Sequence, residues 1–214
     1  MNKEESPEIQ LDPEDIILLL LEANETLLGK HAVGGVTRLE KLLFLLQRET
    51  NIEKMDSFYE FTAHNYGPFS KEVYEALDFL EGFELIQVKE RVHSSHYANV
   101  GEILLLQEIA NVGEIRLLQE ISEEGEAEEV TTDNAIGVTE KLFTLTENGH
   151  KVAKKLRQTI EKRRPKDIEE LNGIIRRYGK LPLNQLIRYV YHKYPEMTVK
   201  SIHPEANKVP AKDI

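Results

Sequence analysis

The feature that most constrains the fold of this chain is the stretch 58–86, where an aromatic segment meets an Asn-Tyr-Gly-Pro turn and then a short acidic helix. Pro68 fixes its own φ and has no N–H to donate, so the turn ends there. Ser70 is then placed to cap a helix that ends at Gly82. The apolar residues of this helix recur at helical spacing: Val73, Tyr74, Leu77 and Leu80. The stretch predicts the centre of a helical, winged-helix-like domain.

Two helices are predicted before this stretch. The first opens at Asp12, an N-cap followed by a proline, and ends at Gly29. The second begins near Thr37, after a predicted turn at 31–35, and carries leucines on its apolar face. Its polar face is assigned Arg38, Glu40, Lys41 and Arg48. Residues 58–63 fit either a short strand or a helical turn.

The second half of the chain supplies the predicted wing. Residues 85–92 and 140–149 read as two strands, the second closed by a Thr-Glu-Asn-Gly turn into a basic helix. Two further helices are predicted at 165–179 and 181–195, because each begins near a proline and stops at a glycine or proline. We therefore expect a mainly α fold with a small β wing, a winged-helix-like helical domain plus a C-terminal helical extension.

We expect three parts along the chain. Residues 1–164 form the winged-helix-like domain, 165–201 a helical hairpin that packs on it, and 202–214 a loose tail. The domain contains an unusually long insertion at about 93–138. Within it, residues 99–110 and 111–122 are a tandem repeat, with helix favoured over a hairpin, and an acidic loop follows.

Composition limits the class of protein. Of the 214 residues, 40% are hydrophobic and 30% charged, and the longest purely apolar run, 16–21, is far too short to cross a membrane. The polar, acidic N-terminus is unlike a targeting signal, so a cytoplasmic location is expected. The chain has no cysteine, which excludes disulfides and thiolate chemistry.

Charge is segregated along the chain. Residues 1–101 hold 9 Lys or Arg against 19 Asp or Glu, residues 102–140 hold 1 against 11, and residues 141–200 hold 15 against 6. The basic part contains one dense helix with Lys151, Lys154, Lys155, Arg157, Lys162, Arg163, Arg164 and Lys166. It is a candidate contact for nucleic-acid phosphate or for an acidic protein, or else a solvated helix that balances the acidic insertion.

The helix after the Tyr-Gly-Pro turn has the opposite character. A winged helix that reads DNA presents cations or amides from this helix, but here a single Lys71 stands among four carboxylates. Phosphate would repel it. Tyr66, Phe69 and Tyr74 are instead suited to anchor a protein partner, since aromatic side chains dominate such interfaces.

Catalytic and metal-binding chemistry is not predicted. His93 and His96 have a spacing that suits a metal on a helix, but no further ligands accompany them at fixed spacing. No serine has the context of a nucleophile, and the glutamate runs are typical of solvated faces. We therefore expect no metal, no cofactor and no enzymatic activity.

Three segments, 41–49, 58–77 and 178–201, resemble the Panacea-domain family of SocA-like prokaryotic antitoxins. The matching residues are Lys41, Leu42, Leu43, Tyr66, Gly67, Pro68 and Tyr74. The resemblance is good over residues 12–90 and loose beyond, and the long acidic insertion is not part of the family pattern. It implies a helical fold and a non-catalytic role: binding a toxin to neutralise it, or presenting it to a protease.

The sequence thus predicts an antitoxin-like interaction protein whose partner is a cognate, toxin-like protein. The alternative is a winged-helix transcriptional regulator that contacts DNA through the basic helix. A homodimer is compatible with either function.

Overall fold

The computed structural model describes residues 11–52, 59–95 and 136–208. This part contains six α-helices and five short or medium strands. The helices are α1 (Pro13–Leu28), α2 (Val36–Glu49), α3 (Lys71–Gly82), α4 (Glu147–Arg163), α5 (Pro165–Tyr178) and α6 (Leu183–Lys193). The strands are β1 (Val33–Gly34), β2 (Thr62–His64), β3 (Gly67–Phe69), β4 (Ile86–Ser95) and β5 (Ile136–Leu145).

The wing is an antiparallel three-stranded sheet in the order β1-β5-β4. Val33 pairs with Phe143, and Ile86 pairs with Leu145. The predicted fold class, mainly α with a small β wing, is confirmed. The prediction of a simple turn at 31–35 was wrong, because Val33 and Gly34 form the third strand. Two residues are too few for a periodic signal, so only the partner strand reveals them.

The open choice at 58–63 is decided in favour of a strand. Strand β2 begins at Thr62 and pairs with β3, so that Thr62 lies opposite Phe69 and His64 opposite Gly67. The Asn-Tyr-Gly-Pro motif is therefore the tip and return strand of a hairpin. Pro68 lies inside β3, and α3 begins three residues later, with Ser70 at its N-cap position as predicted.

The core is one continuous cluster of buried side chains from α1, α2, α3, the wing and α4 to α6. Helix α1 is buried along a wide face because six consecutive apolar residues, 16–21, are inaccessible to solvent. Its predicted ends are confirmed: the Asp12 N–H donates to the Asp15 carboxylate at 3.2 Å, and Gly29 closes the helix with φ 65°.

The C-terminal helices α5 and α6 lie against α1 and α2, with their predicted apolar faces buried. The tail was expected to be loose from residue 202, and this is wrong for its first residues. His203 is buried, Arg188 on α6 forms an ion pair with Glu205 at 3.0 Å, and a short 3₁₀ helix spans Pro204–Lys208. The repeat at 99–122 and the acidic loop after it lie outside the described residues.

Candidate functional site

The two halves of the predicted family motif meet inside the protein. Lys41 was assigned to the polar face of α2, but its side chain is only 1% exposed, and its Nζ donates to the carbonyl oxygen of Pro68 at 3.0 Å. Glu40 was assigned to the same face and is also buried. The hairpin and the start of α3 cover this side of α2, which local periodicity cannot show. These two residues are therefore structural, and solvent does not reach them.

Burial sets the electrostatics of this pair. The Glu40 carboxylate lies 3.7 Å from Lys41 Nζ, and the backbone N–H of Ser70, the N-cap of α3, favours its charged form. Burial raises the pKa of Glu40 to about 7, against the opposing influence of Lys41 and of that N–H. Burial lowers the pKa of Lys41 to about 8, with Glu40 opposing it. The first turn of α3 thus rests on a carboxylate that is costly to ionise.

Only glycine fits at position 67, because of both the backbone conformation and the close contact with Tyr191. Its φ is +88°, and a Cβ placed there would lie 2.7 Å from the ring carbon Cε1 of Tyr191. The buried Tyr191 hydroxyl is hydrogen-bonded to Ser201 Oγ at 2.7 Å, and Ser201 Oγ also donates to the Asn65 carbonyl at 3.0 Å. Helix α6 and the segment after it therefore clamp the tip of the hairpin. The Tyr-Gly-Pro sequence has a packing role.

The predicted partner-binding aromatics lie at the outer side of this clamp. The rings of His64, Phe69 and Tyr74 form a row, with centroids 4.9 Å and 5.5 Å apart. Phe69 and Tyr74 are each half-buried, and Tyr66 at the hairpin tip is half-buried too. The structure brings Phe69 and Tyr74 together along one edge of α3.

The opposite edge of α3 carries a second aromatic pair that the sequence analysis did not single out. Phe79 and Phe83 are 48% and 64% exposed, and their rings pack against each other with centroids 4.4 Å apart. At about 100° per residue, Phe79 lies about 140° around the helix from Tyr74. The spacing Phe79-x-x-x-Phe83 is visible in the sequence, but both residues fall beside the apolar face, so the sequence alone does not show that they are exposed.

Between the two aromatic edges runs a polar strip. Glu75 and Asp78 are exposed there, at about 100° and 40° from Tyr74, and Lys71 forms an ion pair with Glu75 at 2.5 Å. Further carboxylates follow at the C-terminal end, from Glu81 and Glu84. Among the described residues, none forms an ion pair with Asp78, Glu81 or Glu84. The outer face of α3, defined here as residues 71–84 that point away from the core, is thus acidic with aromatic borders.

A shallow groove continues this face toward the wing. Its rim is formed by Glu81, Glu84, Glu147 and Asn148, with Ile86 and Leu145 beneath. Among the described residues that line it, none is a lysine or arginine, although Glu147 itself is paired with Lys151 at 2.7 Å. The groove therefore has the same sign of charge as the helix beside it.

The basic helix α4 differs from what its sequence suggested. Lys151, Lys154, Lys155 and Arg163 are exposed. Arg157, predicted as a nucleic-acid contact, has a side chain only 13% exposed, and its Nε donates to the Glu22 carboxylate at 2.5 Å while Nη2 donates to Asn172.

Arg164 is likewise engaged within the chain, because it forms an ion pair with Asp167 on α5. The predicted contact set is therefore divided. Lys151, Lys154, Lys155 and Arg163 are exposed, although Lys151 is paired with Glu147, whereas Arg157 joins α4 to α1 and Arg164, between α4 and α5, pairs with Asp167.

A second buried carboxylate lies at the other end of α2. Glu49 accepts hydrogen bonds from Tyr178 at 2.6 Å, Tyr189 at 2.9 Å and Lys193 at 2.8 Å. Although burial acts to raise it, these donors lower the pKa of Glu49 below its usual value. The cluster holds α5 and α6 on α2. Each of its donors is already satisfied internally, so we assign it no ligand.

Two further observations concern what the described chain does not contain. No helix in it is long and apolar enough to span a bilayer. In the same ranges, no three His, Asp or Glu side chains cluster so that they could hold a metal ion. The second of the paired histidines of the sequence, His96, and the side chain of His93 lie outside the residues described.

Comparison of the chain with family models, with curated proteins and with solved structures gave no match to any of them. The resemblance to the Panacea-domain family therefore stays a prediction based on seven residues.

Proposed function

We propose that this protein is a non-catalytic, antitoxin-like interaction protein that binds a cognate protein through the outer face of α3. The observation that carries the proposal is the pair of aromatic edges, Phe69 with Tyr74 and Phe79 with Phe83, on either side of an acidic strip. Phe69 and Tyr74 are half-buried and Phe79 and Phe83 are exposed, and aromatic side chains are enriched at the centres of protein interfaces.

The position of this face in the fold supports the same proposal. Helix α3 follows α2 and precedes the wing, which is the place of the helix that enters the major groove in DNA-binding winged helices. Five carboxylates and one lysine lie between residues 71 and 84. Phosphate would be repelled there, whereas a protein with a basic surface would be attracted.

The rigid support beneath the face also suits binding. Lys41 and Glu40 fix the start of α3 from below, and Tyr191 fixes the hairpin that carries Phe69. A preorganised surface loses less conformational entropy when a partner docks.

Co-expression with the products of neighbouring genes tests the proposal. We expect one of them to co-purify with the chain and the chain to relieve any growth defect it causes. Phe69→Ala with Tyr74→Ala is expected to abolish both effects while the protein stays folded. The matched control is Lys154→Ala with Lys155→Ala on the exposed side of α4. Binding that survives the aromatic change would contradict the proposal.

The second candidate function is transcriptional regulation through α4. It is favoured by one observation, the exposed run of Lys151, Lys154 and Lys155 on a helix that follows the wing. Its test is a mobility shift of the chain's own promoter fragment at low and moderate salt. Lys154→Glu with Lys155→Glu should remove the shift. Arg157 is unsuitable for this test because its guanidinium is bound to Glu22.

A further inference from the structure

The Phe79–Phe83 edge is unusual for a surface helix. Within the described part of the chain, five large hydrophobic residues are more than a third exposed, and two of them, Phe79 and Phe83, pack their rings against each other with an angle of 32° between the ring planes. The other three, Val152, Val199 and Ile202, have no such ring partner. Aromatic rings that stack on each other in solvent form a contiguous apolar patch, and such patches mark sites of interaction.

The charge next to this patch has one sign. Asp78 precedes Phe79 and Glu84 follows Phe83 in the chain, whereas Glu81 lies about 160° around α3 from Phe79, on the side of Tyr74. None of these carboxylates has an ion-pair partner among the described residues, and the adjoining groove has no cationic lining. An apolar anchor whose chain neighbours Asp78 and Glu84 are carboxylates without an ion-pair partner among the described residues fits a ligand that carries both apolar and cationic side chains.

The backbone conformation of Glu84 also supports a binding role for the carboxylates at this end of α3. Glu84 has φ +55°, the left-handed conformation that favours glycine, and it is the one non-glycine residue with positive φ in the described chain. The turn is held from the other side, because the Thr146 hydroxyl donates to the Glu84 carbonyl at 2.6 Å. Glycine would relieve the strain at this position. The turn instead keeps a carboxylate at the rim of the groove.

We propose that Phe79, Phe83 and the acidic groove bind a basic amphipathic segment of the partner protein. Its apolar side chains cover the two phenyl rings, and its Lys or Arg side chains reach Asp78 and, at the rim of the groove, Glu84. This inference rests on the proposed function, since it names the chemistry of the partner that α3 receives.

The direct test uses a fluorescein-labelled amphipathic helical peptide of Leu and Lys, about 18 residues long so that it can form a helix. A scrambled peptide of equal composition is the control for charge alone. Fluorescence anisotropy is measured at about 50 and 300 mM salt. We expect the full chain to bind the amphipathic peptide at least about tenfold more tightly than the scrambled one, and more weakly at high salt.

Two variants locate the binding. Phe79→Ala with Phe83→Ala should weaken binding of the amphipathic peptide at least about tenfold. The exposed control Val199→Ala should leave this affinity unchanged. Glu84→Gly should weaken it about threefold and yet raise the midpoint of urea unfolding, because the strain at this position is relieved. The exposed control Glu169→Gln should leave binding unchanged. If Glu84→Gly binds the peptide more weakly and yet unfolds at a higher urea concentration, Glu84 serves binding and not folding.

Several outcomes would overturn the inference. Equal affinity for both peptides, or no effect of the phenylalanine changes, would mean that the net negative charge alone attracts cations. A concentration-dependent dimer in sedimentation, lost on Phe79→Ala with Phe83→Ala, would mean that a second copy covers the patch. If the cognate protein binds and depends on Phe69 and Tyr74 alone, this inference fails and the proposed function stands. If no cognate protein binds at all, the proposed function fails.

Discussion

Helices α3 and α4 enter and leave the same wing, and they carry opposite charge. Arg157 on α4 is tied to Glu22 on α1, and Arg164, the residue after α4, is tied to Asp167 on α5. In α3 the carboxylates Asp78, Glu81 and Glu84 have no ion-pair partner among the described residues.

The net charge of a segment therefore differs from the charge that a partner can contact, because some charged side chains are paired within the protein. Part of the basic charge of α4 stabilises the fold, because its central arginine points toward neighbouring helices. The acidic charge of α3 faces outward and has exposed aromatic rings beside it. We therefore propose that the partner binds to α3, although α4 has the higher density of charge.

The largest expected effect on stability comes from breaking the ion pair between Arg157 on α4 and Glu22 on α1. Arg157→Glu places a carboxylate against Glu22 in a site where both side chains are 13% exposed. We expect a loss of about 4 kcal/mol in the free energy of unfolding, since a mostly buried charge is left facing a like charge. Urea denaturation measures it. Lys154→Glu on the exposed side of the same helix is the matched control, and an equal loss for both would show that Arg157 is not special.

Gly67→Ala tests the support of α3. The added Cβ would meet the Tyr191 ring at 2.7 Å, and alanine disfavours a φ of +88°. We expect about 3 kcal/mol of destabilisation from the combined strain and overpacking.

The control is Gly82→Ala at the end of α3, where a Cβ meets nothing within 4 Å and φ is not positive. If urea denaturation shows that Gly67→Ala loses no more free energy of unfolding than Gly82→Ala does, the clamp between α6 and the hairpin is contradicted.

Glu40→Gln tests the carboxylate under the N-cap of α3. The pKa of Glu40 is raised to about 7 in the folded protein from an ordinary 4.5, so the folded state holds a proton that the unfolded state releases. The contribution of protonated Glu40 to the free energy of unfolding is present in full below pH 4.5 and is lost as the pH rises to about 7. We expect the stability of the native chain relative to Glu40→Gln to fall by roughly 2–3 kcal/mol across this window. Urea denaturation at several pH values measures the difference.

A difference that stays constant with pH would contradict the burial of an ionisable Glu40. Glu49→Gln provides the opposite case, because its pKa is lowered and its contribution is lost as pH falls.

The smallest expected effect concerns the exposed lysines of α4. Lys154→Glu with Lys155→Glu should change the free energy of unfolding by less than about 0.5 kcal/mol, since both side chains are solvated. The same variant should leave binding of a protein partner intact and remove any binding of DNA. Loss of the protein partner in this variant would move the site from α3 to α4.

Much of the fold could be predicted from local signals. Asp12 and Gly29 mark the ends of α1, the Thr146 turn opens α4, and the prolines mark the starts of α5 and α6. Strand β1 could not be predicted, because its two residues become a strand only by pairing with β5.

The same limit applies to the candidate site. Lys41 and Glu40 look like solvated residues until the hairpin covers them, and Arg157 looks available until Glu22, far away in the chain, pairs with it. Phe69 and Tyr74 could be chosen from the sequence because a short helix and a tight turn fix their positions. Phe79 and Phe83 were missed, since the side of a helix that neighbours leave uncovered depends on tertiary packing.

The central claim is that a protein partner binds the outer face of α3. It is tested most directly by affinity capture of the tagged chain from its own host at moderate salt, with quantitative mass spectrometry and a nucleic-acid assay of the eluate. Three forms are compared: the native chain, Tyr74→Ala with Phe79→Ala, and Lys154→Ala with Lys155→Ala. We predict one stoichiometric protein with the native chain and the lysine variant, and its loss from the aromatic variant. Equal recovery by the aromatic variant, or DNA that depends on the lysines with no protein, would contradict the account.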